Sequence, residues 1–467
     1  MNSMKAISLA VALALTGCSM TSPMLKPDVA APAAWNEAQG TSGATVSPEW
    51  WNAFGSAELQ SLVDRALKGS PDLAIATERV RQAESQVRVA GASLFPTLDL
   101  GVGSSARSTS NDFGSTTTKA SSYSLSASYE IDLWGRNRAG VNAAKSSLQA
   151  TVYDRDTARL TLISGVATGY FQVLSLRSRL TVARDNLQIA ERVRDLVAAR
   201  VRNGANTQLD LSRQEATVLS QRAALLPLEQ QERQTLAALA ILVGNVPEGF
   251  DVKAQGVADL AVPAIEPGLP SELLVRRPDL ASAEASLAAA NANLAAARAA
   301  LLPSISLTGS AGAASAALLS FATGGTSTVG LALSVLQPIF DGGRLRGQKA
   351  VAESRERELV ESYRKAILAA FKDVEDSLVA ASRQAQQETL QAGVQREASE
   401  ALRLAEVRYR EGADDLLSVL DAQRTLFSAQ DQLSQIRLNR LEAAVSLYRA
   451  LGGGWSAEGA TTVAMKK

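Results

Sequence analysis

One large segment of this chain occurs twice. Five landmarks recur at an offset of 207 or 208 residues, namely Pro71 and Pro278, Pro96 and Pro303, Ile131 and Ile339, Gly204 and Gly412, and Gly244 and Gly452. The offset is far longer than the roughly 20 to 50 residues of solenoid repeats, so each repeat is a large structural unit. The duplication constrains the fold, because the chain contributes twice any element that one repeat contributes.

Each repeat contains two stretches in which apolar and polar residues alternate. In the first repeat, apolar residues occupy every second position from Leu98 to Val102 and again from Tyr123 to Ile131. A period of two with one apolar face predicts half-buried strands. We therefore predict β-hairpins within residues 95–132 and 303–340, with strands of about 10 to 13 residues, near the length of a transmembrane β-strand. The predicted hairpin loops are Arg107–Lys119 and Ser315–Ser327.

The second hairpin lies in a segment without charged residues, from Ala299 to Phe340. An uncharged segment of this length favours contact with lipid. A transmembrane helix is the alternative interpretation, but the alternation and the many Gly, Ser and Thr residues argue against it.

Long helices account for most of the remaining sequence. Residues 71–93 and 278–301 each begin with proline, a favourable first helical residue, and a further proline ends each helix. Long helix pairs are predicted over residues 138–242 and 345–451. Apolar residues at alternating steps of three and four predict a coiled-coil seam in each pair: Leu180, Ala183, Leu187, Ala190, Val197 and Val201, and Leu426, Ala429, Leu433, Ile436, Ala443 and Leu447.

Four strands are too few to cross a membrane alone. Open sheet edges cannot face lipid, and a closed barrel needs at least about 8 strands. The chain must therefore oligomerise, and two copies would give 8 strands whereas three would give 12. The long helices would then continue the tube on the periplasmic side. A lumen without a catalytic constellation predicts a conduit.

The composition excludes several classes of function. The chain has 467 residues, no histidine, one cysteine, and 47 basic and 47 acidic residues, so its formal net charge is +0. Without histidine there is no imidazole base and no His-bearing zinc site. A neutral chain gives no reason to expect a nucleic-acid partner. We therefore expect no catalytic residues, no metal site and no cofactor, and do not expect an enzyme.

The first residues predict export and lipidation. Lys5 precedes an apolar segment, Ala6–Leu15, that is too short to span a bilayer and fits a signal peptide. Leu15-Thr16-Gly17-Cys18 resembles the bacterial lipobox, in which the cysteine sulfur receives a diacylglycerol. Cys18 is thus predicted to be a lipid anchor and the first residue of the mature protein. An ordinary signal peptide with a chance cysteine is the alternative.

Several motifs together resemble those of a known family. They are the lipobox, the duplication, Tyr129–Arg136, Arg408–Gly412, Leu420–Arg424 and the closing Tyr448–Trp455. The chain is similar over essentially its whole mature length to the TolC-like outer-membrane factors, and most of all to their OprM-like (NodT-type) lipoprotein branch. The resemblance implies an α+β membrane protein: a homotrimer with a 12-stranded outer-membrane β-barrel, four strands per chain, continued by a 12-helix periplasmic α-barrel with a small mixed equatorial domain.

The resemblance also implies a domain organisation. We expect a signal peptide at 1–17, an anchor and equatorial segment at 18–70, a first repeat at 71–245, an equatorial linker at 246–270, a second repeat at 271–453 and a C-terminal equatorial tail at 454–467. The protein would be lipid-anchored in the outer membrane, with a large periplasmic portion.

Function and partners follow from the same resemblance. It implies the outer-membrane channel of a tripartite efflux pump, a passive conduit for drugs or other small molecules. Its partners would be outer-membrane lipid, a periplasmic adaptor (membrane fusion) protein and an inner-membrane resistance-nodulation-division pump. The outer channel of a type I protein-secretion system has the same fold and is the alternative. A purely structural coiled-coil lipoprotein would explain the helices but not the two hairpins.

The resemblance places a gate where the helix pairs turn. Asp421 matches a ring aspartate, and Asp414 falls where the OprM-like branch carries its gate aspartate, while Asp415 is a further acidic candidate because the position one turn before Asp421 is Ser418. Asp210 and Tyr409 match a hydrogen-bonded pair that links neighbouring coils. Gly204 and Gly412 match tip-turn glycines, where adaptor docking is expected. From the residues alone, Asp414 and Asp415 are equally consistent with caps at a helix N-terminus.

Overall fold

The computed structural model describes residues 23–37, 46–112, 114–315 and 326–457. The predicted signal peptide, Cys18, most of the second hairpin loop and most of the C-terminal tail lie outside these ranges. The chain forms two compact units that both draw on the two repeats: Met1–Asp28, Arg79–Val152 and Ser282–Arg364 in the first unit, and Val29–Glu78, Tyr153–Ala281 and Lys365–Lys467 in the second. The repeats therefore do not fold as two separate domains.

Eight α-helices occur in the described ranges. They are α1 (Ala57–Gly69), α2 (Pro71–Ala92), α3 (Arg136–Arg202), α4 (Gln208–Leu242), α5 (Leu273–Arg276), α6 (Pro278–Ala299), α7 (Arg344–Arg410) and α8 (Leu416–Ala450), with short 3₁₀ helices at Trp50–Phe54 and Pro270–Glu272. The bounds of α2, α3, α4, α6, α7 and α8 fall within about two residues of the predicted ones, whereas α1 and α5 were not predicted. Helices α3 and α7 have 67 residues each, about 100 Å at 1.5 Å per residue. Within the described ranges, no helix has both the length and the hydropathy required to cross a membrane.

The first unit contains a four-stranded antiparallel sheet. Its strands are β1 (Thr97–Asn111), β2 (Gly114–Glu130), β3 (Ser304–Ser315) and β4 (Thr326–Leu336), and they lie in the order β1-β2-β3-β4. Strands β1 and β4 are therefore the two edges of the sheet. Each repeat contributes one hairpin, and the two hairpins join through β2 and β3.

The loop predicted at Arg107–Lys119 is instead strand. The first hairpin continues through this segment to a tight turn, with Asn111 opposite Gly114. The Ser and Thr residues there are compatible with extended backbone, and they pair across the hairpin, as the 3.2 Å contact between the Ser108 and Ser115 hydroxyls shows. The first hairpin is thus longer than the 10 to 13 residues predicted, with strands of 15 and 17 residues.

The sheet has one apolar and one polar face. A row across the four strands joins Leu100, Leu125, Ala311 and Val329 on the apolar face. The next row, on the opposite face, joins Gly101, Ser124, Gly312 and Thr328. The apolar face is not covered by the rest of the chain, since Leu100 is 70% exposed and Val329 is 87% exposed. A large exposed apolar face marks a surface that meets lipid or another protein.

The second unit has an aromatic core. Trp50 and Phe54 of the first 3₁₀ helix are fully buried with Phe171 of α3, and Trp50 stacks on Tyr448 of α8 with ring centroids 5.0 Å apart. The predicted seams also lie inside, because Leu180, Ala190, Val197, Leu426, Ala429, Ile436, Ala443 and Leu447 are all buried. The helix pairs are therefore held together by the residues that the three-four spacing identified.

The linker between the repeats is fixed by charged groups. Arg177 of α3 donates hydrogen bonds to the carbonyls of Val252 (2.5 Å) and Ala254 (2.8 Å), and it pairs with Glu232 and Asp251. The Glu58 carboxylate of α1 accepts from two linker amides, at 2.6 and 3.1 Å. Burying the Arg177 charge is tolerable because it is paired and hydrogen-bonded.

Helices α4 and α8 end in the same way. Gly244 has φ +78°, and a Cβ there would lie 2.1 Å from the Gly69 carbonyl oxygen. Its counterpart Gly452 has φ +85°, and a Cβ there would lie 1.9 Å from the Arg276 carbonyl oxygen. Each helix end thus lies against the residue two positions before the Pro-Asp-Leu motif of its own repeat. Only glycine permits both the conformation and the approach.

We predict that Gly452→Ala lowers the free energy of unfolding by at least about 2 kcal/mol, because alanine is strained at positive φ and would collide with backbone. The measurement is the thermal unfolding midpoint of the purified protein in detergent. Gly393→Ala is the matched control: Gly393 lies inside α7 with only a side-chain atom at 4.0 Å, so alanine should leave the midpoint unchanged or raise it. Equal midpoints for the two variants would contradict the prediction.

Candidate gate at the helical tips

Two short turns connect the long helices of the second unit. The first tip turn (203–207) joins α3 to α4, and the second tip turn (411–415) joins α7 to α8. Gly204 and Gly412 have φ of +69° and +76°. In each turn the amide after the glycine donates 2.8 Å to a carbonyl five residues earlier, which is the bond of a Schellman motif. The sequence correctly placed both turns and both glycines.

The first tip turn is closed by a capping box. Thr207 caps α4 through its side chain, which accepts from the Asp210 amide at 3.2 Å, while the Asp210 carboxylate accepts from the Thr207 amide at 3.0 Å. Asn206 donates to the same carboxylate at 3.2 Å. The hydrogen bonds from the Thr207 backbone and side chain hold the pKa of Asp210 below its ordinary value. Asp210 therefore stabilises this turn in its ionised form.

The second tip turn carries two carboxylates. Asp415 is the N-cap of α8, because its side chain accepts from the Ser418 amide at 3.0 Å. Asp414 accepts from the Asp415 amide at 2.9 Å and from the Ser418 hydroxyl at 2.9 Å, and it pairs with Arg408 at 3.2 Å. The hydrogen bond from the Asp415 amide, followed by those from Ser418 and Arg408, holds the pKa of Asp414 below its ordinary value. The capping interpretation therefore applies to Asp415, whereas Asp414 fastens the turn to Ser418 and Arg408 and is negatively charged at neutral pH.

Asp421 lies within α8, about two helical turns past the second tip turn. Its carboxylate pairs with Arg424 on the same helix at 2.7 Å, and its side chain is 60% exposed. Because an exposed pair of this kind contributes little to stability, Asp421 remains available for interactions outside the chain.

Arg200 links the two tip turns. Its guanidinium lies over the Tyr409 ring, 4.7 Å from the centroid, and donates to the Tyr409 carbonyl at 2.6 Å. Its Nε donates to the Asn206 side chain at 2.9 Å. Sequence analysis missed this residue, because nothing in the spacing of α3 indicates which side chains reach a segment some 209 residues away.

The predicted hydrogen bond between Asp210 and Tyr409 is not formed within one chain. The Asp210 carboxylate is occupied by Thr207 and Asn206. The buried Tyr409 hydroxyl has no hydrogen-bond partner of good geometry among the described residues. The contact between the turns is instead made by the Tyr409 ring and its main-chain carbonyl, both of which meet Arg200.

A groove lies between α4 and α8 beside the tips. Its volume is about 650 Å³, and its lining includes Arg213, Thr217, Leu420, Arg424 and Phe427. At the tips themselves, Leu209 and its counterpart Leu417 are both more than half exposed. Apolar side chains exposed at equivalent positions of both repeats provide contact area for a partner. Sequence analysis did not identify this groove.

No group of three or more His, Cys, Asp or Glu residues is arranged to hold a metal ion in the described ranges. The tip region presents carboxylates and exposed apolar side chains to its surroundings.

Comparison with known proteins agrees with the duplication. The model of the outer membrane efflux protein family matches twice, at residues 62–245 and 269–453. The chain is 44% identical to the pyoverdine export outer membrane protein OpmQ of Pseudomonas aeruginosa, over 98% of each chain. It is 35% identical to the solvent efflux pump outer membrane protein SrpC of Pseudomonas putida, over 97% of this chain and 98% of the relative.

Solved structures show the same fold. The crystal structure of the CmeC outer membrane channel of Campylobacter jejuni superposes with a TM-score of 0.89 at 25% identity, covering 96% of this chain and 98% of CmeC. The similarity therefore extends over both compact units.

We predict that Arg200→Ala loosens both tip turns, because the variant loses the cation–π contact and two hydrogen bonds. Hydrogen–deuterium exchange should be at least fivefold faster in peptides covering 407–415. Tyr409→Phe keeps the ring and the carbonyl and should exchange like the native protein, whereas Tyr409→Ala should resemble Arg200→Ala. Fast exchange in Tyr409→Phe with native exchange in Arg200→Ala would show that the hydroxyl, not Arg200, makes the link.

Proposed function

Because the chain belongs to the outer membrane efflux protein family, we propose that it is the outer-membrane channel of a tripartite efflux pump. In this role it is a passive conduit from periplasm to exterior, gated at its helical tips, with no chemistry of its own. The observation that carries the proposal is the four-stranded sheet, which has one apolar face, one Ser/Thr/Gly face and two open edges. A sheet of this kind is a segment of a barrel wall.

The unpaired edges of the sheet favour a closed barrel built from several copies of the chain. Backbone groups at an open edge are unpaired, and in the hydrocarbon core each would cost several kcal/mol. Strands β1 and β4 run in opposite directions, so β4 of one copy can pair antiparallel with β1 of the next. Three copies close a barrel of 12 strands from the four in each chain. The apolar face would then meet lipid and the polar face would line the lumen.

The long helices supply the periplasmic part. Members of this family are outer-membrane proteins with a large periplasmic portion, and this chain is one of them. Each chain contributes α3, α4, α7 and α8, so three copies would provide 12 helices for a periplasmic α-barrel. Lipidation of Cys18 would tether the chain in the inner leaflet, in addition to the barrel itself.

The second tip turn supports a carboxylate gate. In a trimer, Asp414 and Asp421 would each occur three times around the lumen. A ring of like charges in a narrow pore attracts cations and repels anions. Asp414 is held in position by Ser418 and Arg408, so its charge is fixed in place rather than carried on a mobile side chain. These local bonds of Asp414 are compatible with gating, because they use only part of the carboxylate's hydrogen-bonding capacity.

The proposed partners are a periplasmic adaptor and an inner-membrane resistance-nodulation-division pump. The groove between α4 and α8 and the exposed Leu209 and Leu417 are the surfaces on which an adaptor would dock. The cargo is a small molecule. The relatives are named for pyoverdine export and for solvent efflux, so one fold serves different cargo and selectivity would lie with the pump. These names favour efflux over the protein-secretion alternative.

We predict small, cation-selective conductance in planar bilayers for the purified lipoprotein. Asp414→Ala and Asp421→Ala should raise the conductance severalfold and weaken the cation preference, because each removes a ring of charge from the constriction. The preference should persist at pH 5, because the lowered pKa keeps Asp414 ionised there. Current–voltage curves in asymmetric salt measure both quantities.

Asp195→Ala is the matched control, since it removes a carboxylate of α3 that already pairs with Arg194. It should leave conductance and selectivity unchanged. A wide, unselective pore whose conductance is the same in both gate variants would support the channel but contradict a gate at Asp414 and Asp421. A failure to insert into the bilayer would contradict the conduit itself.

A further inference from the structure

A recess lies on α3 between α4 and α8, far along the helix from the tip turns. Its volume is about 360 Å³, near the small end of the roughly 300 to 1,000 Å³ of ligand pockets. The α3 side of this α3 recess consists mainly of Gly, Ser and Thr, whereas the other sides include Leu239, Leu242 and Val445. We propose that the α3 recess binds a small organic anion, with its apolar body against the leucines and its carboxylate at Arg449. The site lies within one chain and goes beyond the proposed function, which assigns no binding site to the long helices.

Opposite faces of α3 meet the aromatic core and the α3 recess. Val166, Tyr170 and Leu174 belong to the core. Thr161 and Thr168 line the recess. At 3.6 residues per turn, these two sets lie on opposite sides of the helix. Helix α3 therefore has a second face that the packing of the core does not use.

Two glycines of α3 create the space of the recess. Gly165 and Gly169 lie inside the helix, where glycine is less favourable than alanine. Neither has a positive φ. A Cβ at these positions would lie 3.6 Å from Leu242 and 3.5 Å from Leu239, which is ordinary van der Waals contact. Neither backbone geometry nor packing requires glycine here, and the consequence of having it is open volume beside α3.

The equivalent positions of the second repeat carry side chains. Helices α3 and α7 have 67 residues each and begin 208 residues apart. This step places Asp373 at the position of Gly165 and Ser377 at the position of Gly169. The repeated helix thus accommodates a side chain at both positions. The glycines of the α3 recess are a property of the first repeat and not of the shared fold.

A buried hydroxyl of the recess lacks a partner. Ser164 lines the recess and is only 4% exposed, and its Oγ has no hydrogen-bond partner among the described residues. A buried polar atom without a partner costs free energy, and an oxygen of a bound molecule would remove this cost. Thr161 and Ser446 add two further hydroxyls to the same lining. The recess therefore contains hydrogen-bond donors for a carboxylate.

Arg449 supplies the positive charge. Its side chain is exposed at the recess and forms no ion pair or hydrogen bond with any residue of the described ranges. A guanidinium presents parallel N–H groups that match the two oxygens of a carboxylate. The counterpart of Arg449 in α4 is Ile241, so the first repeat does not carry the same charge. Charge complementarity thus favours an anion over a neutral or cationic ligand.

The acidic residues nearby already have basic partners. A second recess of about 380 Å³ shares its exposed arginine with the α3 recess and contains three aspartates. Asp279 and Asp373 pair with Arg277, and Asp376 pairs with Lys372. In the described part of the chain, the shared arginine is therefore the only charged residue of either lining without an ion pair.

The test measures naphthoate binding to the full-length lipoprotein in nanodiscs, with the signal of empty nanodiscs subtracted. Naphthalenemethanol is a neutral probe of nearly the same shape. Isothermal titration calorimetry gives the affinity and the number of sites for each probe. We expect one naphthoate per chain, bound at least about tenfold more tightly than the alcohol, because only the carboxylate pairs with Arg449.

Three variants separate the charge, the volume and the fold. Arg449→Gln should weaken naphthoate binding at least about tenfold and leave the affinity for the alcohol unchanged. Gly165→Ala/Gly169→Ala should weaken the binding of both probes by filling the recess, whereas its unfolding midpoint should be unchanged or higher, because alanine stabilises a helix. Arg192→Gln is the matched control, since Arg192 is an exposed arginine of α3 outside the recess, and it should bind naphthoate like the native protein.

Equal affinities for the two probes, or equal naphthoate affinities of the native protein and Arg449→Gln, would overturn the anion site. Native affinity in the double alanine variant would overturn the α3 recess as its location. If the double variant does not fold, Ser164→Ala tests the location instead: naphthoate binding should weaken at least about threefold, and an unchanged affinity would contradict the recess. Binding needs only a folded chain and not a channel, so its failure would leave the proposed function intact.

Discussion

Unpaired backbone groups along two strand edges impose the main requirement on this protein. Each chain builds a four-stranded sheet whose apolar face is exposed and whose edge strands β1 and β4 lack a second neighbour among the described residues. In lipid such edges are too costly to remain open, and four strands cannot close on themselves. The proposed assembly of several copies into a channel thus rests on hydrogen bonding rather than on any single functional residue.

Because of the duplication, each chain contributes two equivalent β-hairpins and two equivalent long helix pairs. The two repeats share some features and differ in others. Both repeats keep the tip glycines and the close approach of a helix end to the residue two positions before a Pro-Asp-Leu motif. They differ in the number and place of carboxylates at the tips: the first tip turn is capped by Thr207 together with Asp210 of α4, whereas the second tip turn itself carries Asp414 and Asp415. The shared glycines are required by backbone geometry. The carboxylates that differ between the tips are the groups that would set the charge of the proposed lumen.

Local patterns predicted the helices, the strands and the tip turns well, because proline, glycine and hydrophobic period act over a few residues. The segment Arg107–Lys119 was predicted wrongly as a loop, since its Ser and Thr residues become strand only through pairing across the hairpin. Arg200 on Tyr409, and Arg177 with Glu58 on the linker, were missed for a related reason. These contacts join segments far apart in sequence, and no periodicity identifies them. The interleaving of the repeats in two compact units likewise depends on long-range packing.

The most direct test of the central claim is the number of chains in the assembled protein. Native mass spectrometry of the full-length lipoprotein, extracted from outer membranes in a mild detergent, measures this number without any substitution. We predict a single species of three chains, whose 12 strands close the barrel without an open edge. A stable monomer in the membrane extract would contradict the account, because one chain leaves both sheet edges unpaired in lipid.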